Sequence, residues 1–231
     1  RDIRYEPNPA FREPLRILLE SDSLLQLEAL TLARFVGGER GYQMLAQCER
    51  VRGIRELSLR HGICFGISAL AASEHLENLR TLDLGYVYCG MAMGRNELSE
   101  RVFGADSKLI SIEQLGLRAT GLDDRDLEAL ADGPMIATLT HLDLRDNPDV
   151  TEAGLSALLH ACASGQLRNL SLSKTQIGDQ GLNMIAESDV LTGLEVLHVH
   201  DAGWGEDGAR AMARSETLPR SISRAFRTGE S

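Results

Sequence analysis

Near one end of the chain, the stretch HVHDAGWGEDGA (198–209) offers residues for more than one chemistry. Gly203, Gly205 and Gly208 form a literal G-x-G-x-x-G. They follow an alternating apolar run and precede a helix-like AlaArgAlaMet, the local setting of a dinucleotide-binding turn. His198 and His200 alternate along that run, so both rings project to one side, with Asp201 next to them; such a pair could begin a metal site. Serine, histidine and aspartate, the residue types of hydrolytic nucleophile chemistry, also recur along the chain's strand-like segments, where chance proximity is expected and no triad is drawn. Which of these is real depends on the elements that hold the residues.

Those elements recur. An aliphatic residue, two of any type, Leu, one of any type and a second aliphatic residue appear seven times, starting at 27, 54, 79, 112, 139, 167 and 194. The steps are 27, 25, 33, 27, 28 and 27 residues, a spacing that scattered leucines would not keep. After several of these strand-like segments comes a helix-like one, at 37–45, 122–130, 150–158, 177–185 and 204–212. Each begins with an acceptable cap, Gly38, Asp123, Thr151, Gly178 or Gly205. The next residue is acidic every time (Glu39, Asp124, Glu152, Asp179, Glu206), suiting the positive end of a helix dipole.

This periodicity resembles the leucine-rich repeat, in its ribonuclease inhibitor-like class. The resemblance spans at least residues 27–212. It implies an α/β right-handed solenoid bent into a horseshoe arc, with parallel strands on the concave face and helices on the convex one. Strands stack about 4.8 Å apart and helices about 10 Å apart, so the stack must curve. Residues 1–217 are expected to form a single domain of about eight repeats, the first truncated and the one at 79–111 irregular. Residues 218–231 read as an end piece and tail, and 86–94 as an insertion at the rim. The chain opens on Arg1 rather than Met, which suggests a piece of something longer. The family's usual loop Asn or Cys is replaced by Phe35, Gly62, Val87, Thr120, Thr175 and Ala202, and kept at Asn8 and Asn147.

The repeat reassigns the glycines. Gly205 and Gly208 share a register with Gly178 and Gly181, and Gly41 and Gly154 match Gly208. Small residues on the first helical turn let neighbouring units approach. Glu206 and Asp207 would repel a pyrophosphate there, so no nucleotide is expected. Trp204 matches Ile177 and Leu122, which places it in the core. A third ligand for His198 and His200 would have to come from His141, about 9–10 Å away across two strands, so no metal is expected. No cofactor and no catalytic group is assigned, and the protein reads as not an enzyme.

Residues between the strand aliphatics face the concave side. One row holds Thr31, Ser58, Asp83, Gly116, Asp143, Ser171 and His198. The next holds Ala33, Arg60, Gly85, Arg118, Arg145, Ser173 and His200. A third holds Arg34, His61, Tyr86, Ala119, Asp146, Lys174 and Asp201. Arg118 and Asp143 stand where a cross-strand ion pair could form. The rows suit a broad partner. Arg60, His61, Asp83, Tyr86, Arg118, Asp143, Arg145, Lys174, His198 and His200 are the expected contacts with another protein. Fold analogy adds a regulatory alternative, such as a GTPase activator or ubiquitin-ligase adaptor.

Composition narrows the partner. Net charge is −10 over 231 residues, and aromatic content is 4%, against a general nucleic-acid binder. No apolar run reaches the roughly 18 residues of a membrane span. Cys48, Cys64, Cys89 and Cys162 show no close pairing pattern and read as reduced thiols, hence a cytoplasmic location is expected; a monomer is expected as well.

Overall fold

The computed structural model describes residues 9–87 and 97–228. Seven strands form one parallel sheet in chain order. They are β1 (Ala29–Thr31), β2 (Glu56–Ser58), β3 (Thr81–Asp83), β4 (Gln114–Gly116), β5 (His141–Asp143), β6 (Asn169–Ser171) and β7 (Val196–His198). Their central leucines lie rung above rung: Leu30, Leu57, Leu82, Leu115, Leu142, Leu170 and Leu197. The second aliphatic of each motif points the same way. Leu59, Leu84, Leu117, Leu144 and Leu172 are wholly buried. A lone strand of this length could not shelter such side chains, and the adjacent copies do so.

Between strands the chain returns along the opposite side. There it forms α1 (Pro9–Glu20), α2 (Gly38–Gln47), α3 (Ser68–Ala71), α4 (Asp124–Asp132), α5 (Glu152–Ala161), α6 (Gly178–Glu187) and α7 (Glu206–Arg214). The irregular repeat has a π-helical turn at Glu97–Phe103 instead of a regular helix. Apolar residues at helical spacing, such as Leu127 and Leu130 or Leu182 and Ile185, complete the core. Strands on one side and wider helices on the other give the α/β solenoid its concave, strand-lined face.

The turns depart from the sequence reading, in which the outermost row continues the strands. Instead Arg34, His61, Tyr86, Ala119, Asp146, Lys174 and Asp201 all adopt left-handed backbone, with φ between 53° and 60°. Among these types aspartate and histidine are the ones enriched in that region, and an ordinary residue there costs about 1–2 kcal/mol. The cost is offset by bonds between repeats. The amide of each left-handed residue from Arg34 to Lys174 donates to a carbonyl of the next repeat, in turn Arg60, Gly85, Arg118, Arg145, Ser173 and His200. The parallel ladder therefore runs on through the turn, and the outer row is as firmly held as the strands.

The loop position just after each left-handed residue points inward. Asn147 there is fully buried. Its Oδ1 accepts from the amides of Thr120, Gly121 and Leu122 at 3.1, 2.9 and 3.2 Å. Its Nδ2 donates to the carbonyls of Leu117 and Leu144, both at 2.9 Å, and of Arg145 at 3.3 Å. Thr120 and Thr175 meet some of the same need, each hydroxyl donating at 2.7 Å to the carbonyl three residues back. Phe35, Val87 and Ala202 bury apolar groups instead. Where Ala202 supplies no donor, the Trp204 indole N–H bonds the Val199 carbonyl at 2.6 Å. Trp204 thus packs against the core only half-buried, with its indole N–H given a polar task.

After α7 the end piece forms α8 (Arg220–Thr228), which packs on α7. Leu218 and Ile222 are buried, and the Phe226 ring lies 5.9 Å from Trp204. Of the expected insertion at 86–94, only Tyr86 and Val87 fall within the described residues. Asn8 and Cys89 lie outside them. Among the described residues, no helix is long and apolar enough to cross a membrane.

Asn147→Ala would leave several buried amides and carbonyls without partners. We expect a loss of about 3 kcal/mol or more, read as a lower urea midpoint, with Asn147→Asp recovering only the bonds to Oδ1.

Candidate functional site

The glycine motif is already filled by the protein itself. Asp179, in the first turn of α6, reaches the next repeat, where its Oδ1 accepts from the Gly205 amide at 2.7 Å and the Gly208 amide at 2.8 Å. These are the amides at the start of α7, and α7 has no side-chain cap of its own. The place a phosphate would take at that helix N-terminus is held by an internal carboxylate. Gly208 must be glycine because an added Cβ would stand 2.7 Å from that carboxylate oxygen. Asp124 acts likewise between α4 and α5, accepting from the Thr151 amide and hydroxyl, both at 2.7 Å. These acidic residues therefore do more than meet their own helix dipole. Glu152, at the corresponding position of α5, makes no such bond among the described residues, and α5 lies less closely against α6 than α4 against α5 or α6 against α7. The caps of α2 and α6 are Gly37 and Ile177, a single residue before the glycines expected from sequence.

The histidines are equally plain. His198 and His200 are exposed at the last strand. His198 Nδ1 lies 3.0 Å from Ser171 Oγ on the neighbouring strand. A catalytic triad needs a carboxylate on the far side of the ring. The nearest aspartate in register, Asp143, faces Ser171 instead and is bonded to Arg145. Among the described residues, no three His, Cys, Asp or Glu side chains gather to hold a metal. Burial pushes the Cys162 thiol up to about 11, far from a reactive thiolate.

The other expected contact residues form a continuous polar surface over repeats two to six. Asp83 accepts from the Gly85 amide at 2.9 Å, and Asp143 from the Arg145 amide at 3.1 Å. These short bonds aim both carboxylates. Arg145 also grips Asp143 through Nε at 2.8 Å and Nη2 at 2.6 Å, a fork that raises its pKa above the ordinary guanidinium value. Arg118 does not pair with Asp143 as its strand position suggests. Its Nε donates to Asp146 at 2.6 Å, because the left-handed turn swings Asp146 towards the previous repeat. Lys174 reaches Asp146 from the other side at 3.2 Å. Burial works against the charge on Asp146, yet the hydrogen bonds from Arg118 and Lys174 hold its carboxyl below the usual aspartate range. Sequence reasoning places Asp146 in the outer row and misses it as the bridge between two cations.

Further along, the Tyr86 ring stacks on His61 at 4.7 Å, and the Arg60 and Arg118 guanidinium carbons lie 5.6 and 5.3 Å from its centroid. Arg60 Nε is 3.6 Å from Asp83. Gly116 leaves a shallow dip between Asp83 and Asp143, about 260 Å³, lined also by Gln114, His141 and Asn169. A larger hollow of about 620 Å³ lies on the helical side, walled by Ala69, Ala71, Ala72 and Gly66 with Glu39, Arg101 and Asp106.

A family model for the leucine-rich repeat matches residues 136–159 and 167–186. With the leucine ladder and the helical return of each unit, that decides the architecture. The fold is a leucine-rich-repeat solenoid. The matched leucine-rich segments hold β5 and β6 and most of α5 and α6. Among solved structures, that of the Rad7 and Elc1 complex in yeast is 16% identical. The match covers 87% of this chain and 69% of that one, at a TM-score of 0.33, too slight to carry any property across. No curated protein matches the chain.

Asp179→Ala should destabilise by about 1–2 kcal/mol in denaturant titration, as loss of a helix cap does, and Asp179→Glu should not restore it. Asp146→Asn tests the ion bridge. A carboxyl with a depressed folded pKa adds stability above its unfolded value and loses it as pH falls through the folded one. Wild type should therefore exceed the variant at neutral pH, with the difference shrinking on acidification below about pH 4–5.

Proposed function

We propose that this protein is a non-enzymatic interaction module that binds another protein through its concave sheet and rim. The observation that carries this is the ladder that continues through the left-handed turns. It fixes three adjacent rows of polar side chains on one curved surface with little room to move. Pre-ordered side chains lose less entropy on binding, which favours a broad, shaped partner. The concave dip, about 260 Å³ and lined by polar groups, is below the roughly 300–1,000 Å³ of small-ligand pockets. The leucine-rich repeat match is consistent with this reading. Arg60, His61, Asp83, Tyr86, Arg118, Asp143, Arg145 and Lys174 are the proposed centre of contact, with His198 and His200 at its far end.

The test uses a partner recovered with the wild-type protein and then purified. Arg118→Glu with Arg145→Glu should weaken its binding about tenfold or more. The circular dichroism spectrum should keep its wild-type shape, with a lower melting temperature because each new glutamate faces the aspartate that its arginine paired with, Asp146 or Asp143. Equal binding by wild type and variant would remove the concave face from the interface.

A further inference from the structure

The concave surface is not electrically uniform. In its two outer rows, the first four repeats present Ala33, Arg60, Gly85 and Arg118, then Arg34, His61, Tyr86 and Ala119. No carboxylate stands among them, in a chain whose net charge is −10. Carboxylates in these rows begin at Asp146. Two of the arginines converge on one ring, Arg60 and Arg118 lying 5.6 and 5.3 Å from the centroid of Tyr86. Among the described residues, no hydrogen bond engages the Arg60 guanidinium; its contact with Asp83 is 3.6 Å. Arg118 uses only Nε, on Asp146, which leaves its terminal nitrogens for another acceptor. His61 stacks against the same ring at 4.7 Å and is exposed.

The left-handed turn that all seven repeats share sets how these two rings are presented. His61 and Tyr86 have φ of 59° and 60°, a region where glycine, asparagine or aspartate would sit with less strain. An aromatic ring and an imidazole beside two guanidinium groups, each keeping nitrogens free of hydrogen bonds among the described residues, make a cradle for an oxyanion.

We infer that the Arg60–Tyr86–Arg118 cluster, with His61 beside it, is the seat for an acidic side chain of the protein partner, a carboxylate or a phosphorylated hydroxyl. The two guanidinium forks bind its oxygens, and the Tyr86 ring holds the forks in place. This rests on the reading that the concave face binds protein, and it names the chemistry recognised there. Towards the C-terminal end of the rim, Asp146 borders the seat as the partner of Arg118, and Lys174 and Asp201 lie beyond it.

The experiment is NMR of the full chain at fixed pH and salt, reading the ring protons of His61. The probes are a five-residue glutamate peptide, a phosphoserine peptide of matched length, inorganic phosphate and pentalysine. At least one acidic peptide should shift the His61 signals along a saturating curve, while pentalysine does not. The stronger of the two peptides identifies the preferred group, and saturation by inorganic phosphate alone would overturn a protein ligand. Arg60→Gln and Arg118→Gln should each weaken binding about fivefold or more. Arg168→Gln, at an exposed arginine paired with Glu195, should not. Tyr86→Asn suits the left-handed turn, so it should fold at least as stably as wild type while binding the peptide less well. Shifts without saturation, equal weakening by Arg168→Gln, or a less stable Tyr86→Asn variant that binds normally would overturn the seat. If acidic probes fail while Arg118→Glu with Arg145→Glu still releases the partner, the anion seat falls and the concave interface stands.

Discussion

The structure depends on a hydrogen-bond ladder that does not stop where the strands stop. Each repeat must reverse direction after its strand while remaining bonded to the next repeat. A left-handed residue at one fixed position meets both demands. Its amide goes across to the neighbour, and the chain bends away towards the helical side. The price is local strain at several residues that do not favour it. In return, the core leucines keep their rungs, and the side chains beyond the strand ends are presented at a fixed pitch.

The buried loop position serves the same ladder from inside. Once the chain bends, amides and carbonyls at the bend face a dry interior and need partners. Asn147 supplies both donor and acceptor capacity in one side chain. Thr120 and Thr175 supply a donor alone. Trp204 brings a donor from two residues further on because Ala202 has none. Different residue types thus solve one constraint, which is why the loops look irregular in sequence while the backbone repeats.

Much of this is legible in the sequence, and the reasons for the rest are physical. The leucine period survives because burial tolerates no polar substitute at those positions. Helix starts are readable within a residue or two because caps and acidic first turns carry a residue signature. The left-handed row is not, since Arg34, Tyr86 and Lys174 are not residue types that announce positive φ. That omission has a consequence for the site. Drawn as a straight strand, Arg118 faces Asp143; drawn through the turn, it meets Asp146. The sequence places these residues on the strand-lined face, but their pairing depends on a backbone bend that it does not spell out.

The helical side shows how one methylene alters the stacking. Asp124 and Asp179 are short enough to lie against the next helix start and accept its amides. The glycines at 154 and 208 make room for those carboxylates. Glu152 occupies the same register with a longer arm, no such clasp forms, and α6 begins without a side-chain cap. The helices therefore draw together in pairs, α4 with α5 and α6 with α7, rather than at an even pitch. The choice between aspartate and glutamate at this register thus sets which neighbouring helix starts are clasped together.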